Sequence, residues 1–129
     1  VMLETLHTNA VAPVLIGQAF LGLLRKGIRP RLVHISSQVG SFTWNTGGRS
    51  PLYAASKAAL NMYARCISLE SPDITTVVVH PGWVQTDMGG PSAPLQVPDA
   101  VQALCTLIDG LRPDQNGHFL NYDGRPHPW

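Results

Sequence analysis

Tyr53 and Lys57 lie four residues apart in the stretch 50–61, SPLYAASKAALN. If this stretch is helical, both side chains project from the same face, one turn from each other. An unperturbed tyrosine has a pKa of about 10, and a nearby positive charge favours its phenolate form. Such a tyrosine can exchange a proton with a substrate oxygen near neutral pH. On this spacing alone an ordinary amphipathic helix is the better explanation, because the pattern is common by chance.

A second set of polar residues lies where a predicted strand meets a long loop. Residues 31–36, RLVHIS, form a short apolar run after a proline, which is typical of a buried strand. Ser36 and Ser37 follow its apolar part, and the next residues are rich in Ser, Gly, Thr and Asn, which predicts a loop. Parallel α/β sheets place ligand-binding groups at such strand ends.

The rest of the chain alternates between helical and strand patterns. Pro13 interrupts the first helical stripe, so we expect a kink or a new helix start near Ala12. Asn9 lies just before this point, where a cap or a local hydrogen bond is its ordinary role. The alternation predicts an α/β fold with parallel strands and helices on both faces of the sheet. Helices are expected over 1–26, 52–69 and 100–111, and strands over 31–36, 74–80 and 118–122.

Composition sets limits on the domain and its partners. At 129 residues the chain is one domain or part of one, and its 44% hydrophobic fraction suffices for a packed core. The charged fraction of 13% is low for a free-standing domain, which suggests that much of the surface is covered by another subunit or by further chain. A net charge of +1 gives no electrostatic footprint for nucleic acid.

Several other classes of site and location are disfavoured. The five histidines show no paired metal spacing, so no metal site is expected. Cys66 and Cys105 are expected to be buried thiols in a reducing compartment, which favours a cytoplasmic protein. The apolar runs are shorter than a membrane span and no signal peptide is visible, so we expect no membrane association.

Four motifs in order give the sequence a specific resemblance. They are TNAVAP around Asn9, VHISSQVGS at 33–41, YAASK at 53–57 and HPGWVQTDM at 80–88, and the final strand HFLNYDG extends the match. Together they resemble the C-terminal, catalytic half of a classical short-chain dehydrogenase/reductase, over essentially the whole chain. Within that family the pattern is most similar to the subgroup of C-factor and sniffer-like carbonyl reductases. The resemblance implies half of a Rossmann-like, doubly wound parallel sheet.

The resemblance also implies roles for individual residues. Tyr53 would be the general acid/base in the interconversion of a carbonyl and an alcohol, and Lys57 would lower its pKa. Ser37 would hold the substrate oxygen, with Ser36 as the alternative, and Asn9 would anchor a water that relays protons to Lys57. The cofactor would be NAD or NADP. Its contacts would come from Tyr53, Lys57, Pro81, Gly82, Val84 and Thr86.

One departure from the family pattern is large. No two glycines in the chain are separated by a single residue, so the glycine-rich dinucleotide loop of the family is absent. The chain, 1–129, therefore corresponds to the catalytic half without most of the cofactor-binding half. It is interpreted first as a fragment of an active enzyme. It could also be a short protein completed by a partner chain, or an inactive remnant kept for binding.

Partners follow from the same resemblance. In the family, the helices that match 1–26 and 52–69 form the subunit interface, which implies a homodimer or a tetramer through these helices. The expected small molecule is a carbonyl compound or an alcohol. The alternative function is a catalytically inactive subunit-interaction module that uses the same two helices.

Overall fold

A computed structural model describes residues 1–129. The elements alternate as the sequence predicts, and two single 3₁₀ turns, Gln38–Gly40 and Pro113–Gln115, lie between them. Most observed bounds fall within one or two residues of the predicted ones. The helices are α1 (Met2–Leu6), α2 (Ala12–Leu24), α3 (Pro51–Glu70) and α4 (Val97–Gly110), and the strands are β1 (Arg31–Ile35), β2 (Thr75–His80) and β3 (Phe119–Asn121).

The three strands form one parallel sheet in the order β1-β2-β3. Val33 is in register with Val77, and Val79 with Leu120. The predicted parallel α/β architecture is therefore confirmed. Only β2 pairs with β1, so the outer edge of β1 has no partner strand.

Helices cover both faces of this sheet. Val77, Val79 and Leu120 form a buried cluster that packs against the side chains of Leu104 and Leu107 on α4. On the opposite face, Val78 and Phe119 cluster with Ala64 of α3. Every residue of β2 is buried, because it lies in the centre of the sheet with a helix on each side. A strand that is buried on both faces carries apolar residues at nearly every position, whereas a half-exposed strand alternates apolar and polar residues. This explains the nearly continuous β-branched run of β2.

The helix start predicted near Ala12 is observed, because α2 begins at Ala12, and the chain stays helical through the junction with α1. A single π-helical turn, His7–Val11, joins α1 to α2, and the N–H of Ala12 donates to the carbonyl of His7. Pro13 has no N–H to offer the carbonyl of Asn9, so the backbone widens by one residue there while remaining helical. The irregularity places Asn9 in the middle of the π turn.

The continuous helical segment Met2–Leu24 is 23 residues long, and its most apolar stretch has a mean hydropathy of 1.3. By length and composition alone it meets the requirements of a membrane-spanning helix, which contradicts the expectation from single apolar runs. One such helix is weak evidence, because signal sequences and the core helices of soluble proteins pass the same test.

The two cysteines are not buried as expected, since Cys66 on α3 and Cys105 on α4 are both exposed in this chain. Each lies on the outward face of a helix whose opposite face covers the sheet. An apolar stretch of helix predicts burial at such a position, but no further layer of the structure covers this face.

His34 of β1 is a buried titratable group with a consequence for stability. It is 5% exposed, its ring lies edge-on to that of Tyr63 with centroids 5.7 Å apart, and its Nε2 has no hydrogen-bond partner. Burial lowers the pKa of His34 to about 4. The unfolded chain, with a pKa near 6.5, therefore binds the proton more readily than the folded chain.

The free energy of unfolding should consequently fall as the pH drops from 6.5 to 4, by about 3 kcal/mol from His34 alone. The stability is fully present above pH 6.5, where both states are neutral. His34→Phe should make this part of the pH dependence shallower, while buried His80, whose pKa burial also lowers to about 4, still contributes. His7→Phe, at an exposed position, should leave the pH dependence unchanged. Urea unfolding across this pH range measures both. Parallel curves for the wild type and His34→Phe would contradict the assignment.

Candidate active site

A cavity of about 560 Å³ opens at the carboxyl ends of β1 and β2, between α3 and α4. Parallel strands bring their carboxyl ends to one edge of the sheet, so loops from distant parts of the chain meet there. Six of the sequence-predicted site residues, and the alternative Ser36, line this cavity together. They are Ser37, Tyr53, Pro81, Gly82, Val84 and Thr86.

Ser37 and Tyr53 meet inside this cavity. Ser37 caps the 3₁₀ turn that follows β1, and its Oγ accepts a hydrogen bond from the N–H of Val39 at 3.4 Å. Burial raises the pKa of Tyr53, and the nearby Ser37 hydroxyl partly offsets this increase. The phenol is therefore protonated at neutral pH, which is the form that donates a proton or a hydrogen bond.

Ser36, the alternative serine, has a different partner. It is 2% exposed, and its Oγ donates to Oδ1 of Asn61 at 2.6 Å. Asn61 in turn donates from Nδ2 to the carbonyl of Gly40 at 3.3 Å. Ser36 thus ties the loop after β1 to α3, and Ser37 is the serine whose hydroxyl meets Tyr53.

Lys57 lies one turn beyond Tyr53, and its ammonium contacts the backbone of β1. Its Nζ donates to the carbonyl of Ile35 at 3.1 Å and lies 5.7 Å from the centroid of the Tyr53 ring. Burial lowers the pKa of the Lys57 ammonium. The expected lowering of the Tyr53 pKa by Lys57 is not seen in this chain, because burial is the larger influence and the ammonium is held by the strand carbonyl.

Asn9 contacts α3 beside the cavity. Its Nδ2 donates to Oγ of Ser56 at 3.1 Å, and that hydroxyl donates to the carbonyl of Tyr53 at 2.7 Å. The π turn therefore brings Asn9 against the backbone that carries Tyr53. The structure places Asn9 and Lys57 beside the cavity rather than among its lining residues.

Sequence reasoning missed the residues that hold this arrangement in place. Ser56 and Asn61 are both buried on the inner face of α3, and Asn61 lies four residues after Lys57. That spacing continues the series from Tyr53 and would have placed Asn61 on the same face. His80, which ends β2 and lines the cavity, was also passed over because it matched no metal spacing.

Gly40 makes a close approach that no other residue type allows. A Cβ at this position would lie 2.8 Å from Cβ and 2.9 Å from the carbonyl carbon of Lys57, and 3.0 Å from the backbone nitrogen of Ala58. The loop after Ser37 therefore lies directly on the backbone of α3, beside the Tyr53–Lys57 turn.

Gly40→Ala should lower the free energy of unfolding by about 1–3 kcal/mol, because the new methyl group meets backbone atoms that cannot rotate away. Gly47→Ala is the matched control in the same loop, since nothing lies within 4 Å of a Cβ there. Thermal and urea unfolding of the two variants measure the difference. Equal stability of the two variants would show that the loop does not rest on α3 as described.

The donors in the cavity suit a neutral oxygen and a flat amide-bearing ring. Hydroxyl groups of Ser37 and Tyr53 face a common space, and the backbone N–H of Val84 makes no hydrogen bond within the chain. No Asp, Glu, Lys or Arg side chain lines the cavity. These donors fit the carboxamide oxygen of a nicotinamide and the carbonyl oxygen of an uncharged substrate.

Comparison with known proteins gives a consistent result. The family model of the short chain dehydrogenases matches residues 2–95. The C-signal protein of Myxococcus xanthus is 45% identical over 130 residues, which cover 99% of this chain and 78% of that protein. The short-chain dehydrogenase srdF of Neurospora crassa is 38% identical over 146 residues, covering 99% of this chain and 56% of the relative.

Solved structures agree with these relatives. The carbonyl reductase Sniffer of D. melanogaster superposes with a TM-score of 0.94 at 42% identity, covering 99% of this chain and 57% of that one. The NADPH-bound carbonyl reductase from chicken fatty liver gives a TM-score of 0.89 at 36% identity, with the same coverage. The chain thus spans a little more than half the length of these carbonyl reductases and of srdF.

Proposed function

Because the chain belongs to the short-chain dehydrogenase/reductase family of oxidoreductases, we propose that it is the catalytic part of an NAD(P)-dependent carbonyl reductase. The observation that carries the proposal is that Ser37 and Tyr53 line the same cavity at the carboxyl ends of the strands. The resemblance of the fold to a carbonyl reductase with bound NADPH supports the choice of cofactor class.

The residues of this chain would act on the substrate oxygen. A bound nicotinamide supplies the hydride. As negative charge develops on the carbonyl oxygen, Ser37 and Tyr53 donate hydrogen bonds to it. Tyr53 then transfers its phenolic proton to that oxygen, and burial favours the protonated phenol beforehand. In the reverse direction Tyr53 accepts the proton from the alcohol.

Several residues would orient the cofactor against this pair. Lys57, held by the carbonyl of Ile35, has further N–H groups for the ribose hydroxyls. The free N–H of Val84 would donate to the carboxamide oxygen. Tyr53, Pro81, Gly82 and Thr86 complete the lining on this side.

The lining also supports an uncharged substrate. Besides the polar groups that face the reacting oxygen, the cavity wall includes the apolar side chains of Trp83, Val97, Val101 and Leu104. Burying a charged substrate group against these side chains would leave it without a partner. We therefore propose a neutral aldehyde or ketone as the substrate class.

A titration of this chain tests the cofactor proposal. Nicotinamide mononucleotide, followed by nuclear magnetic resonance of the backbone amides, should shift Val84 and Thr86 at the cavity. Adenosine monophosphate, the other half of the dinucleotide, should shift neither, because the chain has no glycine-rich loop for it. Equal responses to both ligands, or none to nicotinamide mononucleotide, would count against the proposal.

A second candidate function is favoured by the apolar face of α2. Its stripe of Leu15, Ile16, Phe20 and Leu23 is 58%, 60%, 51% and 60% exposed, respectively. Exposed apolar patches of this kind mark interaction surfaces. This supports the proposal of a homodimer or tetramer through α2 and α3, which an inactive interaction module would share. Only the enzyme should also respond to nicotinamide mononucleotide.

A further inference from the structure

The C-terminal residues return across the end of the sheet to the loop that carries Ser37. After β3, the N–H of Asn121 donates to the carbonyl of Arg125 at 2.8 Å, and the N–H of His127 donates to the carbonyl of Phe119 at 2.8 Å. The carbonyl of Trp129 then accepts a hydrogen bond from the N–H of Thr43 at 3.0 Å. We call residues 125–129 the C-terminal strap.

His80 contacts both the strap and the loop that carries Ser37. It is 8% exposed at the end of β2, and its Nδ1 accepts a hydrogen bond from the N–H of Gln38 at 3.3 Å. Gln38 is the residue directly after Ser37. An Nδ1 that accepts must be unprotonated, so the neutral ring of His80 carries its proton on Nε2. The proposed reaction gives His80 no role, although its ring lines the cavity.

His127 of the strap packs against this ring. It is 7% exposed, its ring centroid lies 5.9 Å from that of His80 and 4.4 Å from that of Phe119, and its Nδ1 lies 2.8 Å from the carbonyl of Pro128. A carbonyl can only accept, so His127 carries its proton on Nδ1. The two rings therefore hold opposite tautomers, each set by a different backbone group.

We propose that the C-terminal strap, together with His80, positions the loop that carries Ser37. Gln38 is held by His80, against which His127 packs, and Thr43 is held by Trp129. Gly40, between them, is held by Asn61. His80 and His127 are thus positioning residues. That the strap orders the loop is independent of the proposed function. That this ordering matters for catalysis rests on the proposed role of Ser37.

Substitutions at His80 separate the hydrogen bond from simple packing. His80→Asn keeps a side-chain acceptor near the position of Nδ1, whereas His80→Leu fills the space without an acceptor. Amide hydrogen exchange of the 129-residue chain reports on the Gln38 N–H directly. We expect exchange of Gln38 to become roughly five- to tenfold faster in His80→Leu, from the loss of one hydrogen bond, and to stay near the wild-type rate in His80→Asn.

The amide of Val78, in the middle of β2, serves as the internal control for global stability. If it accelerates together with Gln38 in His80→Leu, the effect is general unfolding and the positioning role is refuted. Deletion of Pro128 and Trp129 should speed exchange of the Thr43 amide and leave exchange of the Val78 amide unchanged. Unaltered exchange of both Gln38 and Thr43 in these variants would also overturn the proposal.

The catalytic consequence is measured separately, in a fusion protein that includes a complete dinucleotide site. The part of the Sniffer carbonyl reductase without a counterpart in this chain is placed before Val1; we call this protein the completed chain. In it, His80→Leu should lower kcat with little change in KM, and His80→Asn should restore kcat. If His80→Leu speeds exchange of the Gln38 amide but leaves kcat unchanged, the strap orders the loop without affecting catalysis. That result would refute the catalytic part of the proposal and leave the structural part standing.

Discussion

Tyr53→Phe in the completed chain should lower carbonyl reduction by about 10²–10⁴-fold, the usual effect of removing one positioned acid. The substitution removes the hydroxyl that meets Ser37 and leaves the ring in place. Cofactor affinity should change far less than kcat, because the phenol would contact the cofactor only in part. The measurement is the steady-state oxidation of NADPH or NADH with a neutral aldehyde.

Tyr63→Phe is the matched control on the same helix. The Tyr63 hydroxyl donates to the carbonyl of Val14 at 3.2 Å, away from the cavity, so this variant loses a hydrogen bond without losing the proposed acid. Its kcat should remain close to that of the wild type. If Tyr53→Phe turned over at a rate near that of Tyr63→Phe, Tyr53 would have no part in the chemistry.

Lys57→Ala should affect both cofactor affinity and rate, because Lys57 is proposed to hold the ribose and so to orient the nicotinamide beside Tyr53. Hydrogen bonds to charged groups contribute about 1.5–3 kcal/mol, so the affinity of the completed chain for the dinucleotide should fall roughly ten- to hundredfold. Fluorescence titration with NADPH measures the affinity, and single-turnover kinetics measure the rate.

The control for this substitution is Lys26→Ala, the only other lysine in the chain, which is exposed just beyond α2. It changes the net charge by the same amount without touching the cavity. Similar losses of affinity in the two variants would show that the effect is one of overall charge, and the specific contact of Lys57 would be excluded.

The sheet and its order followed from local patterns. The β-branched run before His80 and the shorter apolar runs around Val33 and Leu120 predict strands, and the helical stretches between them require parallel pairing. The same motifs brought Ser37 and Tyr53 together, and the structure places them in one cavity. Local propensity and connection rules were enough for this part.

Other features depend on contacts that no local pattern contains. The bond between Ser36 and Asn61 joins residues 25 positions apart, and the bond of Thr43 to Trp129 joins residues 86 positions apart. The direction of the Tyr53 pKa shift depends on how deeply α3 packs over the loop, which Lys57 alone does not determine. Spacing rules report which side chains share a face, and they do not report what covers that face.

The exposure of Cys66 has the same origin. An apolar or weakly polar residue on a helix is assigned to a core by its neighbours in sequence, but burial also requires a layer above that face. Here α3 covers the sheet with one face and leaves the other open, with Met62 and Leu69 64% exposed. The low charged fraction was the one global signal in the sequence of so much exposed apolar surface.

Transfer of deuterium from the cofactor to the substrate tests the central claim most directly. The completed chain is incubated with NADPH deuterated at C4 of the nicotinamide and with a neutral aromatic aldehyde, and the alcohol is examined by mass spectrometry. The account predicts deuterium at the carbinol carbon of the product, and no labelled alcohol from Tyr53→Phe within the same time. A completed chain that is folded and binds NADPH, yet yields no labelled alcohol from any neutral aldehyde or ketone tested, would contradict it.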